Sequence, residues 1–178
     1  MSTPVLRSFA LVITLMFMSC TYTAKVRSNK DSSVEMNFKR LYIVFYETDQ
    51  LSKLQKCVGD SIRKRLESLG VSVKITLYKN DPLALSSGLN KDDIDAFGPD
   101  VFVFISPNGG QFLNGALVKL NLAVSCFVPD NKNALWKAEI ISEYGSFFGV
   151  GSLDESEGYK LITQNLVEQM KKDHVIAF

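Results

Sequence analysis

The chain has a single histidine, His174, which excludes a zinc site built on several imidazoles. It also lacks a charge of one sign: 20 Lys and Arg stand against 19 Asp and Glu. Removing the first nineteen residues, whose only charge is Arg7, leaves 19 of each. Capture of nucleic acid draws mainly on phosphate neutralisation, so a neutral chain gives no electrostatic reason to expect it. The densest basic cluster, Arg63-Lys64-Arg65, shares its helix with Asp60 and Glu67. Neither GxGxxG, GK[ST] nor GxSxG occurs, so no phosphate loop or nucleophile elbow is signalled. The apolar run from Phe9 to Met18 is too short to cross about 30 Å of hydrocarbon.

What is present is the profile of a globular protein, 46% apolar and 22% charged, with one domain as the default. The run Phe9 to Met18 follows Arg7 and precedes the small residue Ser19, which fits the h-region of a signal peptide over residues 1–19. Phe17-Met18-Ser19-Cys20 resembles the lipobox of bacterial lipoproteins, with Phe17 and Met18 where an aliphatic and a small residue are usual. The resemblance implies cleavage before Cys20 and acylation of its thiol, with membrane lipid as partner. Because Thr21 is not acidic, it further implies an outer-membrane lipoprotein facing the periplasm. Several acyl chains, each contributing about 0.8 kcal/mol per buried CH₂, would make that attachment stable. The alternative is an ordinary secretory peptide or an uncleaved anchor, with Cys20 incidental. Residues 20–38 are rich in Ser, Lys and Asn and read as a flexible tether, ranging about 20 to 25 Å by random-coil scaling.

Folding is expected over residues 39–178. RLYIVFYE from Arg40 is a buried-strand sequence, and Leu51, Leu54, Val58, Ile62, Leu66 and Leu69 stripe one helical face behind a cap at Thr48 or Asp49. Gly70 suits the position just past that helix. VSVKITLY alternates as a second strand, giving a β-α-β unit. A loop with Pro82 and Gly88 and a short acidic helix lead to DVFVFISP, whose continuous apolar character predicts burial on both faces. LVKLNLAVSCFV and ALWKAEIIS flank a polar turn at Pro129 to Asn133 and predict an antiparallel hairpin. Ser152 to Glu155 has capping-box spacing before a helix striped by Tyr159, Ile162, Leu166 and Met170. The order β-α-β-(α)-β-β-β-α predicts an α/β (α+β) fold, a mixed sheet with helices packed on it in two or three layers.

The hairpin, with Trp136 after its turn, and the final helix ending LVEQMKKDHVI look like bacterial envelope lipoproteins related to the TolB amino-terminal domain. The curli-secretion lipoprotein and lipoprotein activators of penicillin-binding proteins have similar domains. The similarity spans roughly residues 39–176 and implies a non-enzymatic role in envelope assembly or secretion, with another envelope protein, or further copies of the chain in a ring, as partner. The alternative is a Rossmann-like periplasmic enzyme or small-ligand binder, for which the β-α-β start is the motive.

Individual residues point weakly to chemistry. Asn108-Gly109-Gly110 reads as a turn, and the glycine-rich stretch Gly145 to Ser152 as a structural loop, because Asp154, Glu155 and Glu157 would repel an anion at the helix that follows. Phe147 and Phe148 are either core or a partner-binding patch. His174 is placed favourably against the dipole of the last helix. Asp92, Asp93 and Asp95 lack the spacing of a calcium loop and read as a solvated helix face. Cys57 and Cys126 are either a disulfide or two buried free thiols. No residue is a catalytic candidate, and no metal or cofactor is expected.

Overall fold

The computed structural model describes residues 21–79, 89–129, 131–145, 152–153 and 155–177. Its strands are β1 (Thr21–Lys30), β2 (Arg40–Glu47), β3 (Ser72–Lys79), β4 (Val101–Leu113), β5 (Ala116–Phe127) and β6 (Trp136–Gly145). Its helices are α1 (Ser52–Glu67), α2 (Lys91–Phe97) and α3 (Ser156–Lys172). One six-stranded sheet in the order β1-β6-β5-β4-β2-β3 carries all the strands. β2 runs parallel to both β3 and β4, whereas β4, β5, β6 and β1 are successively antiparallel, so the sheet is mixed as expected.

The alternation of side chains assigns each strand two faces. Leu41, Ile43 and Phe45 of β2, Val101, Val103 and Ile105 of β4, Leu120, Leu122 and Val124 of β5, and Trp136 and Ile140 of β6 are all buried. They face α1 and α3, which pack on each other and on the sheet. Of the two strands read as apolar throughout, β2 is buried on both sides, its opposite face carrying Tyr42 and Val44. β4 is buried on the helix side only, with Phe102 and Phe104 half-buried on the other.

The expected tether is corrected over its first half. Thr21–Lys30 is not a linker but an edge strand, paired residue for residue with β6 from Thr21↔Gly145 to Lys30↔Trp136. The cause is an alternation that the polar composition conceals: Tyr22, Ala24, Val26 and Ser28 turn towards the helices while Thr21, Thr23, Lys25 and Arg27 face outward. Further on, Met36 is buried and Phe38 bridges to Ile176.

Two more corrections concern the hairpins and caps. Asn108 to Gly110 is no turn: β4 continues through it, with a register shift between Pro107 and Gly109 that the positive φ of 141° at Gly109 accommodates. The chain reverses at Asn114-Gly115, where φ values of 50° and 81° suit a two-residue type I′ connection between Leu113 and Ala116. Neither Thr48 nor Asp49 caps α1 by its side chain. A 3₁₀ turn at Asp49–Leu51 precedes the helix, and buried Gln55 instead donates to the Tyr46 carbonyl at 2.7 Å. The capping box fails because the Ser152 hydroxyl is engaged by Leu117, accepting from its N–H at 3.1 Å. The Gly70 prediction holds: at φ 79° it closes α1, with Val71 N–H donating to Leu66 and Gly70 N–H to Glu67.

Candidate functional site

Both helices that seal the core lie on one face of the sheet; on the opposite face, among the described residues, Tyr42 and Val44 are buried while Phe102, Phe104, Phe127 and Tyr78 are only half-buried. Cross-strand register gathers aromatic side chains there: Tyr42 opposes Phe102, Phe102 opposes Phe127, and Tyr46 opposes Tyr78. The rings touch in sequence, from Tyr46–Tyr78 at 5.4 Å through Tyr46–Phe104 at 6.1 Å to Phe104–Phe127 at 5.7 Å. α2 covers one corner, where Phe97 meets Tyr42 edge-on at 6.1 Å and Asp93 pairs with Lys74 at 3.0 Å. Elsewhere the cluster is only partly covered, and Tyr46 remains 38% exposed.

Beyond the aromatics the same face becomes small and charged. An open depression of about 350 Å³ has Ala123 and Ser125 of β5 among its lining, with Arg27 and Asn29 of β1 and Lys137 and Glu139 of β6. Its place follows from register, since Arg27 and Ala123 both pair with Glu139, and Asn29 and Ser125 with Lys137. The surface is therefore aromatic at Tyr46, Tyr78, Phe102, Phe104 and Phe127, and towards β6 and β1 it carries Arg27, Asn29, Lys137 and Glu139. Such an arrangement can seat a macromolecular surface. Among the described residues the depression is open to solvent.

Two ionisable clusters adjoin this sheet. Glu143 accepts from Lys119 at 2.6 Å, and that hydrogen bond, with the Lys119 charge and then that of Lys25, holds its carboxyl below the usual range. At the other end of the sheet, Asp173 accepts from Ser28 at 2.6 Å, Trp136 Nε1 at 2.8 Å and Gln169 at 3.0 Å. Burial alone would raise the Asp173 carboxyl, but those three bonds and the charge of Lys30 outweigh it and hold the group low. Among the described residues no three His, Cys, Asp or Glu side chains converge as a metal site would require.

Cys20, Phe147 and Phe148 lie outside the described residues, as do residues 1–19. Gly145 and Ser152, which bracket the two phenylalanines in sequence, both sit at the Thr21 end of the sheet, through Gly145↔Thr21 and Ser152–Leu117. Asp92, Asp93 and Asp95 are exposed on α2, with Asp93 held by Lys74. His174 follows α3 at φ 59°. Cys57 and Cys126 are free thiols, so the disulfide reading gives way; the expected burial holds for Cys126, whereas Cys57 is half-buried. Sequence reading missed the aromatic face, because alternation shows that Phe102, Phe104 and Phe127 share a side but not which side the helices leave open.

No family model matches the chain, and no curated protein matches it. Among solved structures it is similar to the PelC dodecamer from Paraburkholderia phytofirmans, at 14% identity and a TM-score of 0.49, over 81% of this chain and 95% of that one. It is also similar to a PDZ domain protein from Parabacteroides distasonis, at 13% identity and a TM-score of 0.43, over 94% of this chain and 39% of that one.

Proposed function

We propose that the protein is a lipid-anchored accessory domain of the bacterial envelope, attached through acylated Cys20 on the periplasmic side of the outer membrane, and that it binds another envelope protein rather than catalysing a reaction. The observation that carries the reading is Cys20 directly after the apolar run Phe9 to Met18 and Ser19, with Thr21 already part of β1. An acyl group on the preceding residue would be tied directly to a sheet edge, and the domain would stand against the lipid with no tether between. The leader ending in Ser19-Cys20 and the resemblance to TolB-related envelope lipoproteins support the same reading. The open aromatic face offers the partner a surface that is broad, shallow and partly apolar, as protein recognition uses.

Intact mass of the membrane-extracted protein tests the anchor. A species beginning at Cys20 and carrying acyl mass, lost in Cys20→Ser, is the expected result. An unmodified full-length mass would sink the reading. Site-specific photocrosslinking from Tyr46 in intact cells tests the partner, and recovery of no envelope protein from an acylated, folded chain would count against that half.

A further inference from the structure

We infer that the tip of the β4–β5 hairpin, through Phe112 and Leu113, is a second membrane contact that enters a zwitterionic phospholipid surface beside Cys20; the inference rests on the lipid-anchor reading above. The argument begins in the ladder. Thr23 pairs with Glu143, and Glu143 with Lys119. Two residues nearer the tip on each strand, Thr21 pairs with Gly145 on one side of the sheet, and Leu117 pairs with Phe112 on the other. Thr21 and Phe112 thus stand near one row, three strands apart, or about 14 Å at the usual strand spacing. Leu113 and the Asn114-Gly115 turn project past that row.

Covalent geometry then links the two points. Cys20 is bonded to Thr21, so its Cα lies about 3.8 Å away. An anchor at Cys20 therefore holds the hairpin tip within about 14 Å of the bilayer surface, by three strand spacings, close enough to reach the same plane.

The tip's chemistry suits that plane. Phe112 and Leu113 are 43% and 50% exposed, more than the other exposed large hydrophobic residues among those described. Phe112 to Val118 contains no charged residue, and the first charge behind the tip on β5, Lys119, is neutralised by Glu143. The backbone at the tip is paired between the two strands, which reduces the cost of entering an interface where water is scarce. An aromatic ring is the side chain best suited to headgroup depth. Glu155, bonded by the Tyr22 hydroxyl, and Glu157 lie at the same end on the start of α3, which disfavours an anionic surface and favours a zwitterionic one. A single lipid attachment lets a domain pivot. A second contact fixes which way the open aromatic face points.

The test uses the full chain, extracted from membranes and reconstituted into phosphatidylcholine vesicles with or without brominated acyl chains. Trp136 is fully buried, so the unsubstituted protein supplies the background. Phe112→Trp places a reporter at the tip, and Leu113→Trp provides a second at an equally open position. We expect either variant to lose about half or more of its added emission in brominated vesicles, as a ring at headgroup-to-acyl depth should. Added emission that is unquenched in both variants would overturn the inference. Intact mass of the same samples reports on the anchor separately. A quenched tip without acyl mass keeps the hairpin contact and removes lipidated Cys20; an acylated chain with an unquenched tip does the reverse.

Discussion

Trp136 Nε1 donates to Asp173 Oδ2 at 2.8 Å, joining the first residue of β6 to the end of α3 beneath the edge strand. Ser28 of β1 reaches the same oxygen at 2.6 Å, so one carboxylate ties two strands to the closing helix. Trp136→Phe keeps most of the buried ring but removes a donor to a charged group. The expected loss is about 1.5–3 kcal/mol by urea denaturation at neutral pH.

The same carboxylate makes stability depend on pH. Its folded pKa lies below the ordinary 3.8, so the folded state binds this proton less readily than the unfolded chain. The contribution is therefore complete above the unfolded value and is lost as pH falls through the folded one. The urea midpoint of Asp173→Asn should lie below that of the wild type at pH about 7, and the gap should narrow below pH about 4. A gap unchanged by acid would show that the charge contributes nothing.

Two helices end in the same way with opposite residues. α1 closes on Gly70 at φ 79°, and α3 closes on His174 at φ 59°, where Val175 N–H donates to Met170 and His174 N–H to Lys171. A side chain in this left-handed conformation costs about 1 kcal/mol relative to glycine. His174→Gly should therefore raise the thermal midpoint, and Gly70→Ala should lower it by a similar amount. Equal effects of one sign would refute the assignment.

Those caps also show how far the sequence could be read. Gly70 was legible because a long periodic stripe ended at it, whereas at His174 the helix continues only to Lys172 and the chain turns without a glycine. β2, α1, the β5–β6 hairpin and α3 each declare themselves by sustained apolar periodicity, which local pattern suffices to detect. β1 does not, since its inward row of Tyr22, Ala24, Val26 and Ser28 is small or polar at three of four positions and is only half-buried at the sheet edge. The Asn114-Gly115 pair is a strong hairpin signal that the neighbouring Asn108-Gly109-Gly110 obscured, because both offer glycine and only long-range pairing decides where the chain turns. The open aromatic face was hidden for a related reason: it is defined by where α1 and α3 dock, not by any one segment.

Cys126 sits with no exposure on the helix side of β5, where burial raises its thiol pKa far above the ordinary value. The thiolate is the reactive form, so this group should be inert in the folded protein. In a Cys20→Ser background, native labelling with a thiol reagent should modify half-buried Cys57 and leave Cys126 untouched until denaturant is added. Prompt native labelling of Cys126 would mean that the β5–β6 core opens readily. A mass two protons short would mean that the two thiols are bridged.

The edge strand yields the sharpest contrast between tether and fold. As a linker, Lys25, Arg27 and Lys30 would be cut by trypsin at once; as β1, their peptide bonds are held in a ladder with β6 and are poor substrates. Limited proteolysis of the folded protein should therefore spare Lys25 and Arg27, with cleavage confined to exposed turns. Val26→Asp supplies the control, because its side chain faces the helices and packs against the core opposite Ile140. A carboxylate there, half-buried and without a partner, should cost about 1–3 kcal/mol and release β1 from β6 before the rest unfolds. Cleavage at Lys25 and Arg27 should then appear in the variant at trypsin levels that leave the wild type intact. Ready cleavage at Lys25 and Arg27 in both proteins would restore the tether and would also detach Cys20 from the sheet, separating the anchor from the hairpin tip at Phe112.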